Sequence, residues 1–482
     1  MSEMKSLAKD TAIYGVSSIV GKFLNYLLVP LYTYVLKQTA DYGIVTNLYA
    51  WTALLLVLLT YGMETGFFRF ANREDFDSKS VYKTAYLTLL CTSALFTMLV
   101  VIFHQPIANV LGYPDHSEFV EMMFATVAID AFACIPFAYL RYQKRPMLFA
   151  ALKLLFVLLN IAFNILFLVV LGKNDVFYVF LSNILATGIQ TLVLLPFTLP
   201  KGGQFDGNTL RQMLRYSLPL LVLGVAGIMN QTLDRILFPY LYTGDDAQAQ
   251  LGIYGACFKV AMVMMMFTQA FRYAYEPFVF SKHKDRQSVE AYADAMKYYI
   301  IFSYLILLGV VFYLDIFRYI VSSAYWEGLK IVPVVLWTYV FQGIYFNLSF
   351  WYKLTDETKW GAYFSLIGLI ITLVLQVVFV PIIGYWASCG SSLVCYLCIM
   401  LLSFIIGQKK APIPYDMKTI GLYTLFTVGL LAVYYALRLY FISNTWLMMA
   451  IGTVLLFIYL AILVRKDFPL SGLPVIGKYF KK

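Results

Sequence analysis

Apolar runs of about 20 residues or more recur along almost the whole 482-residue chain. At 1.5 Å of rise per residue, such a run forms a helix that crosses a roughly 30 Å hydrocarbon layer, whereas a barrel strand would need half that length. Helices satisfy their own backbone hydrogen bonds, which lipid cannot do for them. Composition agrees, with 61% hydrophobic and 13% charged residues and a mean hydropathy of +0.75. A soluble domain carries about a quarter charged residues, and no stretch between the runs is long or polar enough to form one. The fold class is therefore an all-α polytopic membrane protein. The opening MSEMKSLAKD is too polar for a signal peptide, and the apolar segment after it carries Lys22 and lacks a cleavage site, so no segment is expected to be removed.

Cys91, Cys134, Cys257, Cys389, Cys395 and Cys398 all fall within apolar runs, which gives a disulfide framework no support. Cys395 and Cys398 form a CxxC in mid-helix, without the second pair or histidines that a metal site needs. They read as packing residues, and neither metal nor cofactor is expected.

About fourteen transmembrane helices are predicted, centred near Asn25, Val57, Thr92, Ile129, Ile161, Thr187, Gln231, Met265, Leu308, Tyr339, Thr372, Leu397, Gly429 and Thr453. Sorting the loop lysines and arginines by this count puts about 25 on one side and three, Lys37, Lys173 and Lys330, on the other. One missed span in the middle would destroy that asymmetry, so both termini are expected to be cytoplasmic. The asymmetry also explains the net charge of +10 as topology and attraction to anionic lipid headgroups. Nucleic-acid binding is not needed.

Shifting the chain by about 209 residues superposes Gly15 on Gly224, Pro30 on Pro239, Ala40 on Ala249 and Gly43 on Gly252. Matched Gly and Pro at one spacing imply duplication. Six spans separate the copies, so the halves share an orientation and an axis along the membrane normal. The expected architecture is two parallel six-helix bundles, residues 1–200 and 201–410, plus two extra C-terminal helices with a tail in 411–482. Pro30 and Pro239 are each expected to remove a helix hydrogen bond and kink the helix.

Eight cations remain at membrane depth. Arg69, Arg272, Arg318 and Arg438 lie near helix ends, where long stems reach the interface. Lys22, Lys153, Arg235 and Lys259 are deeper, where a cation costs roughly 2.5–3.5 kcal/mol even on the lenient scale. They are expected to line one central cavity with Asn25. Ser18, Lys22 and Asn25 share one helix face, as do Lys153, Asn160 and Asn164. Glu64, Asp130 and Asp234 are candidates for ion coupling or for ion pairs. The alternative is local neutralisation, Asp234 by Arg235 or Lys259 and Glu276 by Arg272.

GVSSIVGKFLNYLLVPLYTY at 15–34, DYGIVTNLYA at 41–50 and YGMETGFFRF at 61–70, with LDRILFPYL at 233–241, LGIYGACFKVA at 251–261 and YEPFVF at 275–280, carry a family likeness. The chain resembles the polysaccharide transporter (oligosaccharide flippase) family of the multidrug/oligosaccharidyl-lipid/polysaccharide exporter superfamily. The resemblance implies alternating access in a bacterial inner membrane. The substrate would be a polyprenyl-diphosphate-linked oligosaccharide, such as an O-antigen or capsule precursor, moved beside polysaccharide-assembly enzymes. Fixed cations in a wet cavity would replace the hydration of a diphosphate. Two alternatives are a drug/cation antiporter of the same superfamily, which would expose carboxylates, and a membrane polysaccharide polymerase or ligase, which would need a larger catalytic loop.

The span count is checked by topology reporters. Fusions after Lys173 and Gly384 should read periplasmic, and fusions after Lys144 and Lys410 cytoplasmic. A block of consecutive fusions with inverted readout would contradict it.

Overall fold

The computed structural model describes residues 20, 21, 23, 24, 26–281, 287–355, 357–440 and 444–467, with side chains left aside at 274, 276–281, 287 and 288. Among them the chain is helical throughout, without strands. The N-terminal half comprises α1 (Leu28–Val35), α2 (Thr39–Thr60), α3 (Met63–Ala71), α4 (Ser78–Leu111), α5 (Ser117–Tyr142), α6 (Pro146–Asn164) and α7 (Val176–Thr198). The C-terminal half follows with α8 (Gly207–Leu241), α9 (Ala247–Val260), α10 (Met262–Ser281), α11 (Gln287–Phe312), α12 (Val332–Leu348), α13 (Lys359–Ile383) and α14 (Tyr385–Lys410). Two more helices, α15 (Met417–Tyr440) and α16 (Thr445–Lys466), complete the chain.

Twelve helices among the described residues are long and apolar enough to span a membrane, or thirteen with a bent pair. The count is close to the predicted fourteen, and the first predicted span lies partly outside the described residues. The eighth is the bent pair, α9 and α10 meeting at 46°. The second is also broken, because Tyr61 and Gly62 take positive φ between α2 and α3.

Local signals place the helix ends. Asp77 caps α4 through the Lys79 and Ser80 amides, and Asp206 caps α8 through Asn208 and Thr209. Hydroxyl and amide donors hold both carboxyls below the usual carboxylate range, so these caps are fully in force above that range and are lost only as pH falls below it, through the lowered folded-state values. The linker between the halves is fastened to α4: Ser80 Oγ accepts from the Gln204 amide, Thr84 Oγ1 accepts from the Asp206 amide, and Lys83 donates to the Gly203 carbonyl. The added pair docks on α11, where Tyr434 donates to the Phe312 carbonyl and Tyr459 to the Ile301 carbonyl.

The halves meet most closely where α2 crosses α9. A Cβ on Gly43 would lie 1.9 Å from the Gln248 carbonyl oxygen, and one on Gly252 would lie 1.9 Å from that of Thr39. A Cβ on Gly255 would meet Thr46 Oγ1 at 2.4 Å. Gly43 and Gly252, Thr39 and Gln248, and Thr46 and Gly255 are each 209 residues apart. The contact is thus reciprocal, and both partners advance in the same sense. Parallel helices of a duplicated chain meet in this way about an axis running along them. Only glycine permits backbones to approach so closely.

Near the other ends of these helices, a Cβ on Gly66 of α3 would come within 2.6 Å of Ser217 Oγ of α8. Pro239 removes a helix hydrogen bond, as expected. It stands in the last turn of α8, and its missing N–H frees the Arg235 carbonyl. Asn47 of α2 donates to that carbonyl at 2.7 Å, and the Tyr113 hydroxyl donates to Asn47 Oδ1 at 2.8 Å. The proline thus creates an acceptor that ties the two halves together.

Gly43→Val should overpack the crossing by about 1–3 kcal/mol, lowering the thermal unfolding temperature of the purified protein. Gly429→Val, at an exposed helix position with open space around it, serves as the control. Equal melting of the two variants would contradict the tight crossing.

Candidate functional site

Below the crossing, α1, α2, α6, α7, α8 and α9 enclose a cavity of about 310 Å³. Its lining includes Tyr32, Tyr42 and Tyr49, Asn160, Asn183 and Thr232, and the two cations Arg235 and Lys259. No carboxylate is among these lining residues.

Arg235 is fixed by its neighbours. Its Nε lies 3.3 Å from Asp234 Oδ1, its other end donates to the Gln231 carbonyl, and the guanidinium lies 4.7 Å over the Phe258 ring. Asp234 is only 3% exposed, and the Tyr254 hydroxyl donates to its Oδ2 at 2.5 Å. This carboxylate is buried outside the cavity lining and neutralises Arg235 from behind, the local pairing that the sequence offered as the alternative for these two residues. Lys259 differs in having no hydrogen bond or ion pair among the described residues. The residue is half-buried and shares the cavity with Arg235, with no acid to balance it among the described residues.

Lys153 is placed elsewhere. It is absent from the cavity lining and lies 3.9 Å over the Phe137 ring, within the electrostatic reach of Asp130, Glu64 and Arg141. Glu64 pairs with Arg141 and accepts from the Cys134 thiol at 3.2 Å. Two acids and two cations thus form a balanced cluster inside the N-terminal half. Arg141, read from sequence as a loop residue, belongs to it. Lys22 and Asn25 lie outside the described residues, as does the Glu276 side chain. Of the four deep cations, then, the structure brings Arg235 and Lys259 together and separates Lys153 from them.

Three of the remaining four cations lie at helix ends, whereas Arg272 stands midway along α10 with its guanidinium 5.5 Å over the Phe346 ring, which corrects its expected place near a helix end. Arg69 stacks 4.1 Å over Tyr216, and Arg318 and Arg438 share the buried Asp315 at 3.7 and 2.9 Å. Sequence reasoning passed over Tyr49, Asn183 and Tyr254. An asparagine at the centre of the sixth apolar run was the available signal for Asn183, because an amide there must find partners. No group of three or more metal-ligating side chains occurs among the described residues.

A sequence profile described as polysaccharide biosynthesis protein matches residues 7–282. The chain belongs to that family. No curated protein sequence matches it significantly. Among solved structures, the fold is similar to that of the lipid II flippase MurJ in an inward closed conformation. That match has a TM-score of 0.75 and 14% identity, covering 94% of this chain and 99% of the other. An inward-facing multidrug resistance MATE family transporter of the MOP superfamily is similar at TM-score 0.66 and 12% identity, over 83% and 95% of the two chains. A MOP superfamily transporter from Pyrococcus furiosus, described by the reversed polarity of its binding pocket, gives 0.57 and 13%, over 83% and 95%. At these identities the likeness establishes the fold, that of a multi-pass membrane protein.

The support for Asp234 is directly testable. Tyr254→Phe removes one buried hydrogen bond, worth about 1–3 kcal/mol if its acceptor stays unsatisfied, and should lower the melting temperature in detergent. Asp234→Asn, which also leaves Arg235 uncompensated, should lower it further. Wild-type melting in both variants would remove the structural role given to this pair.

Proposed function

We propose that the protein is a flippase that moves a polyprenyl-diphosphate-linked oligosaccharide across the bacterial inner membrane, with both termini cytoplasmic. The halves 1–200 and 201–410 act as two lobes that alternate access to the cavity between them, and 411–482 is an accessory to the second lobe. The observation that carries this reading is Lys259, a half-buried lysine in the interlobe cavity with no carboxylate partner among the described residues. A cation held at membrane depth without a counterion is costly. A substrate that brings two phosphates removes that cost by supplying charge-assisted acceptors. Arg235 adds a second donor, oriented by Asp234 and Phe258.

Family membership and the flippase-like fold support transport of a lipid-linked precursor. A drug/cation antiporter is less well supported, since a cationic substrate calls for carboxylates and the cavity lining presents none. Glu64 and Asp130 are held in the balanced cluster with Arg141 and Lys153, where they are available for ion coupling.

The test is translocation in reconstituted vesicles of an undecaprenyl-diphosphate-linked oligosaccharide, normalised to protein level. Lys259→Ala should reduce it about tenfold or more, the loss expected for a charge-assisted hydrogen bond. Lys259→Arg should retain more because the charge is kept, although the geometry of the two cations differs. Undiminished transport by Lys259→Ala would overturn the proposal.

A further inference from the structure

The walls of the cavity differ in chemistry. The wall from the C-terminal half presents Arg235 and Lys259, while the wall from the N-terminal half presents Tyr49 of α2, Asn160 of α6 and Asn183 of α7. Asn160 is 3% exposed and Asn183 8%, so both amides are buried apart from the cavity itself. Their internal hydrogen bonds use only part of their capacity. Asn183 Nδ2 donates to the Tyr49 hydroxyl oxygen at 2.8 Å. Among the described residues, the phenolic proton of Tyr49 then has no acceptor and Asn183 Oδ1 has no donor. Asn160 Oδ1 accepts from Asn164 Nδ2 at 3.1 Å, and the Asn160 amide protons have no acceptor among the described residues.

These atoms face the cavity, where water completes their bonding until a ligand displaces it, and a ligand that cannot replace those bonds leaves them stranded, at about 1–3 kcal/mol each. What remains open is a set of donors together with an acceptor, all uncharged. A diphosphate accepts only and would leave the Asn183 carbonyl unmatched. A metal cation would find no carboxylate. A sugar hydroxyl both donates and accepts, and a pyranose ring displays several at once.

We propose that Tyr49, Asn160 and Asn183 form a sugar-reading wall that recognises the neutral, hydroxyl-bearing sugar joined directly to the diphosphate, while Arg235 and Lys259 hold the diphosphate on the facing wall. The inference rests on the anion-site reading above and adds orientation and selectivity to it. At about 310 Å³ the cavity is at the small end for ligand sites, so it reads the first sugar rather than a whole oligosaccharide. Selectivity follows from the unpaired groups. A site built to hydrogen-bond hydroxyls discriminates strongly against a ligand that lacks them, because its own polar groups are then stranded.

The experiment compares the affinity of the full-length protein for two probes, undecaprenyl diphosphate and undecaprenyl diphosphate carrying one N-acetylhexosamine. Wild type should prefer the sugar-bearing probe. Asn183→Leu and the conservative Tyr49→Phe should each weaken binding of that probe, by about tenfold for Asn183→Leu, with the bare diphosphate unchanged. The retained binding doubles as evidence of correct folding. Lys259→Ala should weaken both probes alike. If neither wall variant moves the ratio between the probes, or wild type shows no preference, the sugar-reading wall is overturned, and should Asn183→Leu misfold, Tyr49→Phe decides. If Lys259→Ala leaves both probes unaffected, the anion-site reading fails instead, whatever the ratio does.

Discussion

The two halves of the chain touch backbone to backbone, and the geometry of the interior follows from that contact. Gly43 and Gly252 let α2 and α9 approach until a single added Cβ would overlap a carbonyl of the facing helix. The residues flanking the crossing diverge from it, and the cavity opens where they do. Its lining includes Thr46 and Gly255, the next repeat-equivalent pair along the two helices. Pro239 adds a hydrogen bond across the same junction by leaving the Arg235 carbonyl for Asn47. In a membrane no water waits to satisfy that carbonyl, so a side chain from the other half does so. Backbone chemistry and duplication together thus fix how the halves are joined.

Charge is sorted by the same architecture. In the N-terminal half, Glu64, Asp130, Arg141 and Lys153 offset one another within one bundle. In the interlobe space Arg235 is paired with the buried Asp234 behind it, whereas Lys259 has no ion pair among the described residues. Local pairing therefore accounts for the N-terminal cluster and for Arg235, and fails for Lys259 among the described residues. The failure lies where both halves contribute to a common wall, which is where a substrate in transit would have to pass. The Asp234 and Tyr254 pair keeps Arg235 in place from outside the cavity lining.

Much of this was legible in the sequence. Apolar runs gave the helices, and the 209-residue offset matched pairs that prove to face each other, Gly43 with Gly252 foremost. Arg235 and Lys259 were read from depth alone, and the structure brings them to one cavity. Depth could not say which bundle face Lys153 occupies. It belongs with Asp130 because the packing of α5 against α6 turns it there, and a helical face is defined only by its neighbours. Pro239 was read as removing a hydrogen bond, and its position in the last turn depends on where the helix ends. The partnership of Asn47 with the Arg235 carbonyl spans 188 residues, and no local pattern encodes it. Asn183 carries a signal as an amide inside an apolar run, but its partner Tyr49 lies 134 residues away, and no local pattern pairs the two.

The central claim is that the interlobe cavity is an anion site. Its most direct test is an experimental structure of the protein bound to undecaprenyl diphosphate carrying its first sugar. The account predicts phosphate oxygens within hydrogen-bond distance of the Lys259 ammonium and the Arg235 guanidinium, with the lipid tail outside the cavity. A diphosphate bound away from both cations, with Lys259 still facing an empty cavity, would contradict it.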